Sequence, residues 1–342
     1  MEESEALLIL THLVKPREIR PLIALRGSAK EALQHVPWQE KTSWEQDLAL
    51  VNKLGVHLIS YLDSRYPASF AQLTDAPALL YIKGVLPQEA SLAIVGTRIC
   101  SLYGKECAEK IAEEVASYGM PVISGLARGI DTAAHTGALK AGKTVAFIGS
   151  GLAHLYPREN VHLAEKIADH GGAVVSELPM GTPPAKHLFP RRNRLIAAFA
   201  QGALLIEAPE KSGAMLTLEM AKNFGKPCFA LPGRIDLDSF RGNHALIKAQ
   251  KAQLVENGQE MVSLLQPDKG KLSFHSRMAA PQLEGEEGQL LSFFRSEEVS
   301  FDELIDRTKL APAKLSAQLM MLVLKGAIRE FPGRQYKLCE KR

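Results

Sequence analysis

Apolar residues early in the chain recur at helical intervals: Leu7, Leu8, Leu10 and Leu13, then Ile19, Leu22, Ile23 and Leu25. That spacing lays them along one face of successive 3.6-residue turns. Ser28, directly before Ala29 to His35, reads as an N-cap. Residues 3–75 are therefore predicted to be helical. Tyr66-Pro67 and Ala76-Pro77 punctuate the end of this segment, and Leu79 to Ile82 reads as a short strand.

Near Ser91 the period changes. Short apolar runs at Leu92–Val95, Val122–Ile123, Val145–Ile148, Ala173–Ser176, Ala203–Ile206 and Cys228–Leu231 alternate with helical stretches. Such alternation predicts parallel strands joined by right-handed helical crossovers. The fold class expected is α/β, a doubly wound parallel sheet, whose ligands sit at the carboxyl ends of the strands. Residues 266–287 hold Pro267, Gly270, Pro281 and Gly285 and little apolar periodicity, so they read as a linker. Beyond it, Leu290–Phe294, Phe301–Thr308 and Pro312–Lys325 read as helices. Ala327–Phe331 and Gln335–Leu338 form a hairpin about Pro332-Gly333, completing a winged-helix outline. The predicted domains are an N-terminal helical domain at 1–84, a Rossmann-type domain at 85–265, the linker, and a winged-helix domain at 288–342.

With 342 residues, 46% of them hydrophobic, the chain can fill more than one core. Forty-one Lys and Arg against 38 Asp and Glu leave a net charge of only +3, so any polyanion site must be local. Cys100, Cys107, Cys228 and Cys339 show neither a CxxC pair nor the Cys/His spacing of a zinc site. They read as free thiols in a reducing compartment, with no metal and no cofactor expected. The acidic start Met1-Glu2-Glu3-Ser4-Glu5 is unlike a signal peptide, and no apolar run is long enough to span a bilayer. A soluble cytoplasmic protein without membrane partners is expected.

Candidate chemistry gathers at the predicted strand ends. Gly96-Thr97-Arg98 follows the first strand of the α/β segment; its backbone amides and guanidinium suit an anion, although an ordinary turn with a solvated arginine would look the same. Ser124-Gly125-Leu126-Ala127-Arg128-Gly129 follows the second, where glycines could equally serve helix packing and Asp131 a helix cap. The segment Leu178 to Ile206 carries Lys186, Arg191, Arg192 and Arg194 and no acidic residue, so its charge exceeds that of the whole chain. Within it Phe189 stands among the cations, between a strand and a helix expected to begin near Asn193. Cations for a backbone and an aromatic face for a base are what single-strand binders combine. A solvated basic loop with Phe189 tucked into the core is the alternative. Ser212-Gly213, with Thr217 one turn on, opens another helix that could receive a phosphate or simply be capped.

Two motif matches point elsewhere. Gly137 to Thr144 fits the GxxxxGK[ST] pattern of nucleotide-binding loops, but it closes a predicted helix and enters a strand, the reverse of the context a phosphate loop requires. Gly149-Ser150-Gly151 has His154 where a dinucleotide site would place its third glycine. No metal spacing and no Ser-His-Asp arrangement stands out, so no catalytic residue is assigned.

Taken in order, Ala93-Ile94-Val95-Gly96-Thr97-Arg98, Ser124 through His135, Phe189-Pro190-Arg191-Arg192-Asn193-Arg194, Glu207-Ala208 with Ser212-Gly213, and Leu231-Pro232-Gly233 resemble the DNA-processing protein A (DprA/Smf) family. The resemblance spans roughly residues 85–265, and the flanking helical and winged-helix units look like that family's additions. It implies an extended Rossmann-type doubly wound parallel sheet preceded by a SAM-like helical domain, in a non-enzymatic single-stranded DNA-binding protein that forms homodimers through the Rossmann-type domain. It also implies that the protein hands DNA to the recombinase RecA, protecting incoming strands in natural transformation (competence). By position, Arg98 and Lys186 would grip phosphate, Phe189 would stack on a base, and amides around Gly125 and Gly213 would line the same pocket. Gly96, Thr97, Ser124, Arg128, Arg191, Arg192, Asn193, Arg194, Ser212 and Thr217 complete the expected nucleic-acid site.

Two departures narrow what carries over. Leu13-Val14-Lys15-Pro16-Arg17 stands where many members have a glycine-rich helix-hairpin-helix turn, so DNA binding of that kind is not expected of the first segment. The winged-helix segment Pro312–Lys325 is mostly apolar, which suits a partner or packing surface better than duplex reading. A different class, the lysine-decarboxylase-like nucleotide-processing enzymes, shares this kind of fold, but Pro232-Gly233-Arg234 breaks their Pro-Gly-Gly-x-Gly-Thr signature.

Overall fold

The computed structural model describes residues 2–37, 44–266, 286–294, 299–325, 327–331 and 333–338. The chain divides into two compact units, Met1–Leu272 and Ser273–Arg342. Within the first, helices α1 (Glu3–Leu13), α2 (Pro16–Arg26) and α3 (Ala29–Gln34) follow the apolar periodicity. The Ser28 hydroxyl accepts the Glu31 amide at 3.1 Å, as its N-cap position predicts. Helix α4 (Trp44–Lys53) then leads into strand β1 (His57–Ser60), which helical periodicity did not anticipate. Four residues are too few to display a period of two, so only pairing reveals the strand: β1 lies antiparallel to β2 (Leu79–Gly84).

Next come β3 (Leu92–Val95), α5 (Leu102–Ser117), β4 (Val122–Ser124), α6 (Ile130–Ala138) and β5 (Thr144–Phe147). They are followed by α7 (Val161–Asp169), β6 (Ala173–Ser176), α8 (Leu188–Phe199), β7 (Gly202–Leu205) and α9 (Gly213–Asn223). Strand β8 (Cys228–Ala230), α10 (Arg241–Lys248), the two-residue β9 (Gln253–Leu254) and α11 (Gly258–Leu265) close the unit. One nine-stranded sheet results, in the order β1-β2-β6-β5-β4-β3-β7-β8-β9. All pairings from β6 to β9 are parallel, as the alternating pattern requires, while β2 joins β6 antiparallel. Chain order runs outward from β3 to β6 and then jumps to β7 on the far side of β3. The β3/β7 border is therefore the switch point where such folds leave a crevice.

The expected boundary at 84/85 is not a break between compact units. Leu7, Leu8 and Ile19 of the N-terminal helices share one buried cluster with Leu79 and Tyr81 of β2, Val174 of β6 and Ile167 of α7. Asp47 on α4, 3% exposed, adds polar ties: it accepts the Tyr81 hydroxyl at 3.0 Å and lies 3.3 Å from His12 Nε2. The helical segment is thus fastened to the sheet's antiparallel edge by both apolar burial and a buried carboxylate. The rest of the sheet shows the period of two that sends alternate residues to opposite faces. Leu92 and Ile94 pack with α5 and α6, whereas Ala93 and Val95 pack with α8 and α9.

In the second unit α12 (Glu286–Ser292), β10 (Val299–Ser300), α13 (Phe301–Thr308), α14 (Pro312–Leu324), β11 (Ile328–Phe331) and β12 (Gln335–Leu338) give three helices and a small sheet ordered β10-β12-β11. This is a winged helix around Leu304, Leu315, Leu319, Leu322 and Ile328. The helix expected at 290–294 begins earlier, at Glu286, and β10 adds a third strand to the predicted hairpin. Nearly all of the expected linker, along with Gly326, Pro332 and Cys339, lies outside the described residues.

Candidate nucleic-acid interface

The turn after β3 is tied directly across the switch point. Thr97 donates its amide to the Glu207 carbonyl, beyond β7, at 2.7 Å, and its own carbonyl accepts the Ile130 amide at 3.2 Å. A Cβ at Gly96 would press against Ile130 and the Glu207 carbonyl, so glycine is what lets α6 and the β7 turn close in. The Glu207 carboxylate is 1% exposed and accepts both the amide and the hydroxyl of Ser101 ahead of α5. Asn243 on α10 completes the frame: its buried side chain accepts the Ala208 amide and donates to the carbonyls of Leu205, Ile206 and Leu231. Glu207 entered the sequence reading only as part of a family motif and Asn243 not at all, because a lone Glu after a strand, or a lone Asn in a helix, has no neighbours along the chain that mark it as a tie between strands.

Held by this frame, Arg98 projects into solvent with its guanidinium 5.1 Å from the centre of the Phe189 ring, a cation–π contact. On its other side Phe189 meets the half-exposed Tyr156, ring centres 5.7 Å apart. Gly149, past β5, makes room, since a Cβ there would lie 3.0 Å from the Phe189 ring. Lys186 and His187 lie exposed just ahead of α8. Phe189 is thus partly open in an aromatic and cationic strip, not tucked into the core.

The basic segment itself is folded differently from the expected loop. Helix α8 begins at Leu188, not near Asn193, so Phe189 through Arg194 occupy its first two turns and diverge around its axis. Arg192 and Arg194 are 4% and 8% exposed. Arg194 is paired with Glu177 at 2.5 Å and Asp75 at 2.9 Å, and Arg191 reaches the same Glu177 at 3.2 Å. Asn193 donates to the Gly213 carbonyl at 3.3 Å, joining α8 to α9. The expectation that all these cations present themselves to a ligand is corrected: Arg192 and Arg194 are drawn inward. Glu177, at the end of β6, supplies the counter-charge from outside the segment that sequence inspection treated alone.

Arg192 organises the turn after β4. One guanidinium nitrogen donates to the Phe147 carbonyl at 2.7 Å, and a Cβ on Gly125 would overlap that guanidinium. Beside it, Asp131 accepts the amides of Gly125 at 3.1 Å and Ala127 at 3.3 Å. Asp131 therefore folds the turn before α6 instead of capping the helix, and it occupies the Gly125 amide expected to face a ligand. Burial pushes the Asp131 carboxyl up and the Arg192 guanidinium down to about 10; each is countered by the charge of the other, and Arg98 lowers Arg192 further. Asp131 is thus the counter-charge inside the turn, and Arg98 is left facing solvent.

The remaining expected residues divide. Ser124 is fully buried and donates to the Ile94 carbonyl at 2.7 Å, and Thr217 is 1% exposed inside α9, so both are corrected to packing positions. Ser212 holds the N-cap place of α9, yet its hydroxyl is buried without a partner among the described residues and caps nothing. Gly213 is open, with no neighbour where a Cβ would stand. Arg128 is exposed and paired with Glu159, a surface contact that exchanges cheaply. Lys143 of the phosphate-loop-like motif bridges to Glu89 at 2.9 Å, with α6 already ended and β5 beginning at Thr144, so it is remote in role from any phosphate cradle.

His135 supports the same turn from beneath. It accepts the Leu126 amide at Nε2 (3.3 Å) and donates from Nδ1 to Thr144 Oγ1 (2.7 Å), whose hydroxyl in turn donates a hydrogen bond to the Val122 carbonyl (2.6 Å). Burial first, then Arg192, lowers the His135 pKa to about 3. An unfolded chain takes up that proton near pH 6.5. The folded form is therefore favoured above that pH and loses stability as pH falls from 6.5 toward 3, by up to about 1.4 kcal/mol per pH unit. Denaturant unfolding of wild type and His135→Gln across this range checks it: that share of the slope is expected to vanish in the variant.

A Rossmann-type sheet with its crevice lined by cations and an aromatic, carried on a chain with a winged helix, is the architecture of a nucleic-acid-handling protein. The chain belongs to the family of DNA recombination-mediator protein A, whose model matches residues 57–266; the DprA winged helix domain matches residues 275–334. It is 36% identical over 311 residues to protein Smf of Escherichia coli, covering 87% of this chain and 82% of that protein. It is 42% identical over 209 residues to DNA processing protein DprA of Streptococcus pneumoniae, covering 60% and 72%. The X-ray structure of the S. pneumoniae protein superposes with a TM-score of 0.64 at 33% identity, over 77% of this chain and 98% of that one. DNA processing protein A of Helicobacter pylori, solved for its single-stranded DNA binding mode, gives 0.56 at 30% identity over 62% and 96%. Membership makes this a protein of DNA processing and recombination. Among the described residues, no helix is long and apolar enough to cross a membrane.

Proposed function

We propose that this chain binds single-stranded DNA along the Arg98–Phe189–Tyr156 strip and delivers it to RecA, without chemically altering the strand. The observation that carries the reading is the Arg98 guanidinium seated over a partly exposed Phe189 at the switch-point crevice. A base can stack on that ring while Arg98 and Lys186 take the flanking phosphates. Arg98 and the exposed Lys186 supply a local positive charge that the net charge of +3 does not reveal. Arg191, Arg128, Asn193 and the open α9 start at Gly213 border the crevice. Arg192, Arg194, Ser124 and Thr217 shape it from within. The single-strand binding mode of the H. pylori relative supports the ligand class.

RecA delivery, protection of incoming strands in transformation, a cytoplasmic setting and homodimerisation through the Rossmann-type sheet extend this reading from the family. The enzyme alternative loses ground on one observation: Gly233 is packed against the Phe240 ring, which fills the place of any side chain, so the Pro232-Gly233 turn serves packing. The test is fluorescence anisotropy of labelled single-stranded and duplex oligonucleotides at two salt concentrations, followed by RecA filament assembly with and without this protein. Preference for single strands with steep salt dependence, and faster filament assembly, are expected. Duplex preference, or no binding, refutes the reading.

A further inference from the structure

A cavity of about 750 Å³ opens beside the strip, between α4, the segment before α7 and the edge of the sheet. Leu54, Val56, Leu152 and Val174 contribute apolar walls, and Lys53, Lys83 and Arg158 bring three cations to its lining. None of the three makes an ion pair with the described residues, whereas Arg128, Lys140 and Lys143 each find a carboxylate. Glu165 is the carboxylate on the lining, and it already faces His162 at 3.6 Å. Tyr156 belongs to both places: it lines the cavity and meets the Phe189 ring.

We propose that this cavity is a second subsite for the same DNA strand, receiving nucleotides that continue past Tyr156 from the base on Phe189. The proposal rests on the reading of the Arg98–Phe189 strip as the primary site. Three features choose a nucleic-acid strand over a protein segment. The excess charge is positive and unneutralised, as phosphates require. The walls are apolar, as a base face requires, and the volume is within the ~300–1,000 Å³ usual for small-ligand pockets. The shared tyrosine makes the path continuous, so that stacking is handed from one ring to the next.

The subsite makes affinity depend on strand length in a way the strip alone does not. The full-length chain is titrated with labelled oligo-dT of ~4 and ~16 nucleotides, spanning the site sizes of sequence-tolerant binders, for wild type, Lys53→Glu/Arg158→Glu and Arg98→Ala. Both residues of the double variant are exposed, and thermal melting confirms that it folds. It is expected to bind the long strand at least ~10-fold more weakly, with a salt slope reduced by ~1.4 for two lost phosphate contacts at ~0.7 each. The short strand is expected to bind as it does to wild type. Equal loss at both lengths, or loss at neither, overturns the subsite while leaving the strip intact. Occupation by free dTMP with no length effect in the double variant overturns it too, since the cavity would then take a nucleotide and not a continuing strand. If wild type binds neither length, or Arg98→Ala binds both normally, the primary site itself is refuted.

Discussion

Arg98→Ala is expected to weaken single-strand binding by ~10- to 100-fold. The estimate follows from the loss of one charge-assisted phosphate contact, worth ~1.5–3 kcal/mol, at ~1.4 kcal/mol per tenfold. The salt slope should fall by ~0.7, the signature of one phosphate contact on a single strand. Since Arg98 is exposed and bonded to no carboxylate among the described residues, its removal should leave the melting temperature nearly unchanged. Phe189→Ala separates the two components of the strip. Loss of stacking costs ~1–3 kcal/mol per base, and the salt slope is expected to stay as in wild type because no phosphate contact is lost. Anisotropy titrations at several salt concentrations check both variants; an unchanged slope in Arg98→Ala would place the phosphate elsewhere.

Asp131→Ala is expected to act through the fold instead. It strips the Gly125 and Ala127 amides of their acceptor and leaves the Arg192 guanidinium buried beside no counter-charge. Each buried donor left without an acceptor costs ~1–3 kcal/mol, and the unopposed charge of buried Arg192 adds to it. In a unit of this size that is a fall of ~10 °C in melting temperature. Asp131→Asn, which keeps an acceptor for the amides but not the charge, should fall between the two. DNA affinity should drop in both, because the turn that carries Gly125 and borders Arg98 loses its shape. Differential scanning fluorimetry together with the same titrations checks this. A melting temperature within ~2 °C of wild type in Asp131→Ala would show that Arg192 is not held by this carboxylate.

Why some of this was legible beforehand, and some was not, is visible in individual residues. The six parallel strands from β3 to β8 could be read because each is an apolar run buried on both faces and bounded by turn residues. Burial leaves its mark on composition within the run itself. Strand β1 and the two-residue β9 escaped, since so short a segment has no period and becomes a strand only through the partner it meets. The same rule divided the basic segment. That Lys186, Phe189, Arg191, Arg192 and Arg194 lie together is a property of the sequence, and so is the presence of Arg98 on a turn after a strand. Which of them face solvent is not. Starting α8 at Leu188 turns Arg192 toward Asp131 and Arg194 toward Glu177, while Phe189 is left under Arg98. Those partners are brought in from β6, α6 and the β3 turn. The sequence alone determined the six parallel strands from β3 to β8, the family motifs and the local store of positive charge, because these depend on neighbours along the chain. Only the tertiary structure decided which charges were neutralised and which remained for a ligand, because counter-ions are chosen by distance in space.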